Sequence, residues 1–102
     1  MAEHDEAVWL HAGHRVTIVE LAECSGLAED VLRELVEFGA LAPAAPGTLQ
    51  FSARCVASVR TAARLTRDLE LDTPALALVL SFLERIDALE TRVRELNAKL
   101  PR

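Results

Sequence analysis

The chain has 102 residues and a mass of 11.1 kDa, which is enough for one small domain, or one domain with a helical tail. Apolar residues make up 51% of it and exclude a disordered chain. No apolar run approaches the roughly 20 residues that a membrane span needs. The formal net charge of -5 counts against non-specific binding of nucleic acid, which depends on neutralising phosphates. We expect a cytoplasmic location, because the acidic N-terminus has no signal-peptide pattern.

The charge is unevenly distributed along the chain. Between residues 17 and 51, six acidic side chains accompany a single base, Arg33, whereas residues 52–67 contain four arginines and no acid. We therefore predict an acidic surface on the first half and a basic stripe on a middle helix. The six acids are Glu20, Glu23, Glu29, Asp30, Glu34 and Glu37, and the four arginines are Arg54, Arg60, Arg64 and Arg67.

The first predicted element is a small N-terminal hairpin. The segment at residues 6–10 is apolar after its first residue and includes Trp9. Gly13 supplies a turn, and Arg15 and Val16 form the returning strand. Trp9 either covers one end of the core or is an exposed contact.

Two short helices follow with the spacing of a helix-turn-helix. Thr17 and Glu20 form a capping box at the start of the first helix, which ends at Ser25 and Gly26. The second opens near residue 27, has acids in its first turn, and ends where Gly39 provides a left-handed cap. Its predicted buried stripe is Val31, Leu32, Leu35, Val36 and Phe38.

The next segment is predicted to form a wing and a third helix. Residues 40–43 and 49–51 are the predicted wing strands, and the loop between them contains a Pro-Gly turn. Ser52 is the predicted cap of the third helix, and Thr73 of a fourth helix with Pro74 in its first turn. The predicted buried side of the third helix consists of Cys55, Val56, Val59, Ala62, Ala63 and either Leu65 or Leu69.

The fourth helix, predicted from residue 74 to about residue 100, carries an apolar seam at heptad spacing. Further leucines widen its apolar face in the first half only, so the second half is expected to need another helix as a partner. β-Branched residues at the a positions and leucine at the later d positions favour two strands. After Ala75, the predicted dimerisation residues are Val79, Phe82, Ile86, Leu89, Val93, Leu96 and Leu100.

Two questions about this seam stay open. It either forms a dimer or belongs to the core of its own chain. In a parallel dimer Arg85 would pair with Glu90, whereas an antiparallel pair would place the like charges of Arg85, Arg92 and Lys99 together. We divide the chain into residues 1–73, a winged helix-turn-helix-like domain, and residues 74–102, a dimerisation helix.

Segments 17–22, 25–27, 32–35 and 38–41 resemble the N-terminal domain of the MerR transcription factors. That resemblance implies a mainly α fold with a winged helix-turn-helix, small wing strands and a long C-terminal dimerisation helix, paired antiparallel. It also implies DNA binding, but two features depart from the family. Residues 33–35 replace the Arg-Tyr-Tyr run of the MerR recognition helix, and the wing has lost the family's basic and tyrosine side chains.

The chain is also similar to the chaperone modulator family CbpM, which shares that fold. The similarity lies in residues 63–74, which match the family's Arg-Leu-x-x-x-Leu-x-Leu-Asp-x-Pro stretch, in the helix at residues 75–89, and in the acidic helix-turn-helix. It implies binding to the J-domain of the DnaJ-like co-chaperone CbpA, inhibition of its work with DnaK, and reduced DNA binding by CbpA. The six acids are then the predicted contact for the J-domain's basic helix.

Several alternatives remain beside that interpretation. The acids either form this contact or are a solvated helix face, and the arginines either bind nucleic acid or balance Glu70, Asp72, acids of the fourth helix or acids of a dimer partner. His11, His14 and the cysteines are either metal ligands or, as we expect, turn and core residues. We expect no cofactor, no metal, no small-molecule substrate and no enzymatic activity, because no catalytic set of side chains can be identified. The alternative functions are a MerR-type transcriptional regulator and a structural coiled-coil partner.

Overall fold

The computed structural model describes residues 14–101, which form four α-helices and one two-stranded antiparallel sheet. A 3-10 turn at Ala53–Cys55 leads into the third helix. The described part measures 48 × 31 × 25 Å. In chain order the elements are β1 Arg15–Thr17, α1 Ile18–Ser25, α2 Glu29–Glu37, β2 Gln50–Ser52, α3 Val56–Leu69 and α4 Thr73–Ala98.

The sheet joins the start of the described chain to its middle. Val16 lies opposite Phe51, and both side chains are buried. The predicted strand at Arg15 and Val16 is confirmed, but its described partner is β2, while residues 6–10 and Trp9 lie outside the described residues. The prediction of a strand at residues 40–43 is wrong. That segment enters the core through Ala40 and Leu41 instead.

Local hydrogen bonds hold the helix-turn-helix, and the sequence predicted the capping box among them. Thr17 Oγ1 accepts from the Glu20 N–H at 3.1 Å, and Glu20 Oε1 accepts from the Thr17 N–H at 2.8 Å, which confirms the capping box. α1 ends at Gly26, whose φ of +80° is the left-handed conformation that glycine tolerates. Ser25 Oγ accepts from the Leu27 N–H and tightens the turn toward α2.

α2 buries a narrower stripe than predicted. Leu32 and Leu35 are fully buried, but Phe38 is 55% exposed, so its predicted burial is wrong. Phe38 is the residue at which the helix ends, and Gly39 then turns the chain at φ +79°. The Ala40 N–H donates to the Leu35 carbonyl at 2.9 Å and confirms a glycine-containing cap.

α3 packs one side on the core and leaves the other open. Ser52 Oγ accepts from the Arg54 N–H, so it caps the 3-10 turn, and Cys55 occupies the N-cap position of α3 itself. Leu65 is half-buried and Leu69 is exposed, so Leu65 is the one of the two that lies toward the core. The buried residues of α3 are Val56, Val59, Ala62 and Ala63, as predicted.

α4 begins one residue earlier than predicted. Its N-cap is Asp72, so the prediction of Thr73 as the cap is wrong, and Thr73 and Pro74 occupy the first two helical positions. Leu76 and Leu80 in the first half join the core, and the helix ends at Ala98. The largest fully buried side chains of the described residues are Phe51, Leu21, Leu32, Leu35, Leu41, Leu76, Leu80, Val16 and Val59.

Candidate functional site

The six predicted contact acids lie on the two helices of the helix-turn-helix, and we call them the acidic surface. Two are on α1 and four on α2. Glu20 and Glu29 are half-buried and the other four are exposed. The acidic surface consists of Glu20, Glu23, Glu29, Asp30, Glu34 and Glu37.

These acids differ in whether their carboxylates already have a partner within the chain. Glu20 is engaged in the capping box, and Glu29 lies 3.9 Å from the Arg33 guanidinium, one helical turn away. That pair partly neutralises Arg33, the only base between residues 17 and 51.

The remaining four acids of this surface have no such partner in the described part of the chain. No hydrogen bond or ion pair to another described residue engages the carboxylates of Glu23, Asp30, Glu34 and Glu37. Each of them keeps its charge exposed to solvent, so the negative potential of the two helices is available to a positively charged partner.

Exposed apolar side chains lie beside these acids. Val19 is about half exposed and precedes Glu23 by one helical turn, and Phe38 follows Glu34 by the same spacing. Such residues offer contact area that a charge cluster alone lacks. Sequence reasoning missed Phe38 as a surface residue, although Gly39 directly after it signalled the helix end.

The outer face of α2 is chemically unlike a phosphate-binding helix. Its exposed residues include Asp30, Glu34 and Glu37, and its one cation, Arg33, is paired with Glu29. A duplex that docked on this face would meet carboxylates where phosphate contacts require cations.

The predicted dimerisation residues divide into two groups along α4. Val79 is half-buried and packs against the core of its own chain. From Phe82 onward every predicted member is more than half exposed, and we call this stripe the seam. It consists of Phe82, Ile86, Leu89, Val93, Leu96 and Leu100.

The four arginines of the basic stripe are exposed along α3 and the turn before it. Within the described residues, Arg54, Arg64 and Arg67 form no ion pair, so the predicted balance with Glu70, Asp72 and the acids of α4 is not found there. Asp72 instead uses its carboxylate to cap α4.

The two cysteines are free, half-buried thiols, Cys24 in α1 and Cys55 at the start of α3. Burial, with a smaller contribution from Glu84, raises the pKa of Cys55 to about 12. Partial burial and then Glu20 and Glu23 also raise the pKa of Cys24. Both thiols are therefore protonated at neutral pH and poor nucleophiles.

The described residues contain no group of three or more His, Cys, Asp or Glu side chains placed to bind a metal ion. His14 is among those residues, whereas His11 lies outside them. Of the helices in residues 14–101, none combines the length and the apolar character that crossing a bilayer requires.

Comparison with known proteins agrees with this fold. The family model described as MerR HTH family regulatory protein matches residues 16–98. The chain is 33% identical over 82 residues to a chaperone modulatory protein CbpM of Coxiella burnetii, covering 78% of this chain and 77% of the relative. It is 34% identical over 88 residues to proteins of the same name from Salmonella arizonae and Citrobacter koseri, covering 84% of this chain and 87% of each relative.

Proposed function

Because the chain belongs to the CbpM family of chaperone modulators and carries the MerR-type helix-turn-helix fold, we propose that it binds the J-domain of a CbpA-type co-chaperone. Bound there, it inhibits the co-chaperone's work with DnaK and reduces its binding to DNA. It acts in the cytoplasm as a binding protein, without a cofactor and without catalysing a reaction.

The acidic surface is the proposed contact. J-domains present a basic helix to DnaK, and a modulator with negative potential competes for that helix. The observation that carries the proposal is the set of four exposed carboxylates on α1 and α2 that have no partner among residues 14–101. Complementary charge speeds the encounter and fixes the orientation, while Val19 and Phe38 add apolar contact.

We further propose that the seam of α4 forms a homodimer. A stripe of six large apolar side chains, each more than half exposed, is costly in water and is covered when a second helix packs on it. This gives residues 1–73 the partner-binding role and residues 74–102 the dimerising role. The turn between α3 and α4 at residues 70–72 lies at that boundary.

The alternative is a MerR-type regulator that binds DNA, which the family match favours. The two functions separate because one needs a basic protein target and the other an operator duplex. Isothermal titration of the full chain with a CbpA-type J-domain should give a complex that weakens as salt rises. Titration with duplex fragments should give no sequence-specific binding.

A functional assay completes this test. Adding the protein should lower the stimulation of DnaK ATPase activity by the co-chaperone, and added free J-domain should restore it. Absence of a J-domain complex even at low ionic strength would overturn the proposal, and so would sequence-specific capture of DNA.

A further inference from the structure

A groove of about 350 Å³ lies between the C-terminal end of α1 and the outer side of α3, away from the seam. Three arginines of the basic stripe line it, together with the hydroxyl-bearing Ser25 and Thr61. Among the described residues that line it, none is acidic. We call it the arginine groove, and its cations are Arg60, Arg64 and Arg67.

The helix places these three cations on one side. Positions 60, 64 and 67 follow the spacing of a single helical face, which lies beside the buried face of α3. Like charges at this spacing destabilise a helix, so their accumulation on one face has a cost within the folded chain. Neither Arg64 nor Arg67 offsets it with an ion pair to another described residue.

Arg67 reaches across the groove to the turn of the helix-turn-helix. One of its guanidinium nitrogens lies only 3.2 Å from the point that a Cβ atom on Gly26 would occupy. The missing side chain at Gly26 therefore leaves room for the guanidinium against the backbone of the turn. The guanidinium of Arg67 therefore lies beside the α1 wall, while Arg60 and Arg64 line the α3 wall.

We propose that the arginine groove binds carboxylate side chains of an acidic segment in a partner protein. Guanidinium groups bind carboxylates through two parallel hydrogen bonds, and several such groups around one groove hold more than one acid. The Thr61 hydroxyl adds a donor. The Ser25 hydroxyl, which already accepts from the Leu27 N–H, also retains its proton for donation.

The surroundings favour a protein ligand over a nucleic acid. A duplex carries one negative charge per about 1.7 Å of its axis and needs a broad basic surface. The wall formed by α1 continues into the acidic surface, which would repel neighbouring phosphates. A short acidic segment needs only the few cations of the groove to bind its carboxylates. This proposal does not depend on J-domain binding, because it uses the opposite charge and different residues.

The test uses the full chain and a short fluorescein-labelled peptide of alternating Glu and Gly, with fluorescence anisotropy as the readout. A peptide of alternating Gln and Gly, inorganic phosphate and a duplex DNA serve as separate competitors. The groove variant is Arg64→Gln with Arg67→Gln. The matched control is Arg54→Gln with Arg92→Gln, which removes the same charge from outside the groove.

The acidic peptide should bind, and the groove variant should weaken it about tenfold or more, while the control variant keeps most of the affinity. Circular dichroism should show the helix content of both variants unchanged. No binding of the acidic peptide at low salt would overturn the proposal, as would equal losses in the two variants. Stronger competition by duplex DNA or by phosphate than by unlabelled acidic peptide would overturn it as well.

Discussion

Asp72 Oδ1 accepts a hydrogen bond from the backbone N–H of Ala75 at a distance of 3.0 Å, and this contact starts α4. The Leu76 N–H donates to the Asp72 carbonyl and continues the helix. The carboxylate also lies at the positive end of the helix dipole. Thr73 is chemically able to cap a helix but is already inside it.

The cap makes a prediction for two adjacent residues. Asp72→Ala should lower the free energy of unfolding by about 1 kcal/mol, because one helix N–H loses its acceptor. Thr73→Ala should change it by less than about 0.5 kcal/mol. Urea denaturation followed by circular dichroism measures both, and Asp72→Asn should keep most of the stability. A larger loss for Thr73→Ala than for Asp72→Ala would contradict the assigned cap.

The end of α2 makes a second prediction. Leu35→Ala should destabilise the fold by about 2–5 kcal/mol, because it leaves a cavity at a fully buried position. Phe38→Ala should cost less than about 1 kcal/mol, although phenylalanine is the larger side chain, because it is mostly exposed. Thermal and urea unfolding of both variants provide the comparison, and similar losses would mean that Phe38 is buried in solution.

Glu84 on α4 provides a prediction about pH. Burial, and then the neighbouring Asp87, raise the pKa of its carboxyl above the usual 4.5. The folded chain therefore holds this proton more tightly than the unfolded chain, and stability from this group falls as the pH rises from about 4.5 through the raised pKa. At lower pH the carboxyl is protonated in both the folded and the unfolded chain, so it does not change the stability.

The test variant is Glu84→Gln, and Glu95→Gln, at an exposed position of the same helix, is its control. At pH 7 Glu84→Gln should be more stable than the parent, by less than about 1 kcal/mol, and its advantage should shrink toward pH 4. Urea denaturation across this range measures the difference between the two variants. An advantage that grows on acidification would contradict the raised pKa.

The seam predicts how a charge on α4 changes the oligomer. Ile86→Asp should give monomers in sedimentation equilibrium, because it buries a carboxylate between two apolar helices. Ala88→Asp adds the same charge to the same helix turn on the other side and should leave the dimer intact. A dimer that survives Ile86→Asp, or that Ala88→Asp breaks equally, would contradict the seam as the interface.

Local sequence patterns predicted the local features of this fold. The capping box of Thr17 and Glu20 needs only residues within one helical turn, and the Gly39 cap depends on a left-handed φ that glycine favours. The register of a β-pair depends on distant residues. For this reason the sequence predicted the strand at Val16 but missed its pairing with Phe51.

The same distinction applies to the candidate sites. Charge counting located the acidic surface and the arginine stripe, because both depend on composition along one or two helices. The arginine groove was not predictable, since its second wall is α1 and the approach of Arg67 to Gly26 brings together residues that are far apart in the chain. Asp72 and Thr73 are adjacent, and both can cap a helix. The sequence therefore could not show which of them is the last residue of the turn after α3 and so the cap of α4.

The most direct measurement of the central claim compares J-domain affinity in two charge-reversal variants. Asp30→Lys with Glu34→Lys changes two exposed acids of the acidic surface and leaves the Glu29–Arg33 pair in place. Asp68→Lys with Glu95→Lys changes the net charge equally from outside that surface. Isothermal titration at low and at physiological salt gives both affinities.

The first variant should lose about tenfold or more in affinity, and its binding should become less sensitive to salt, since the attraction comes from those helices. The second variant should bind nearly as tightly as the parent chain. Unchanged affinity in the first variant, or an equal loss in the second, would contradict the claim that carboxylates on the helix-turn-helix select a basic protein partner.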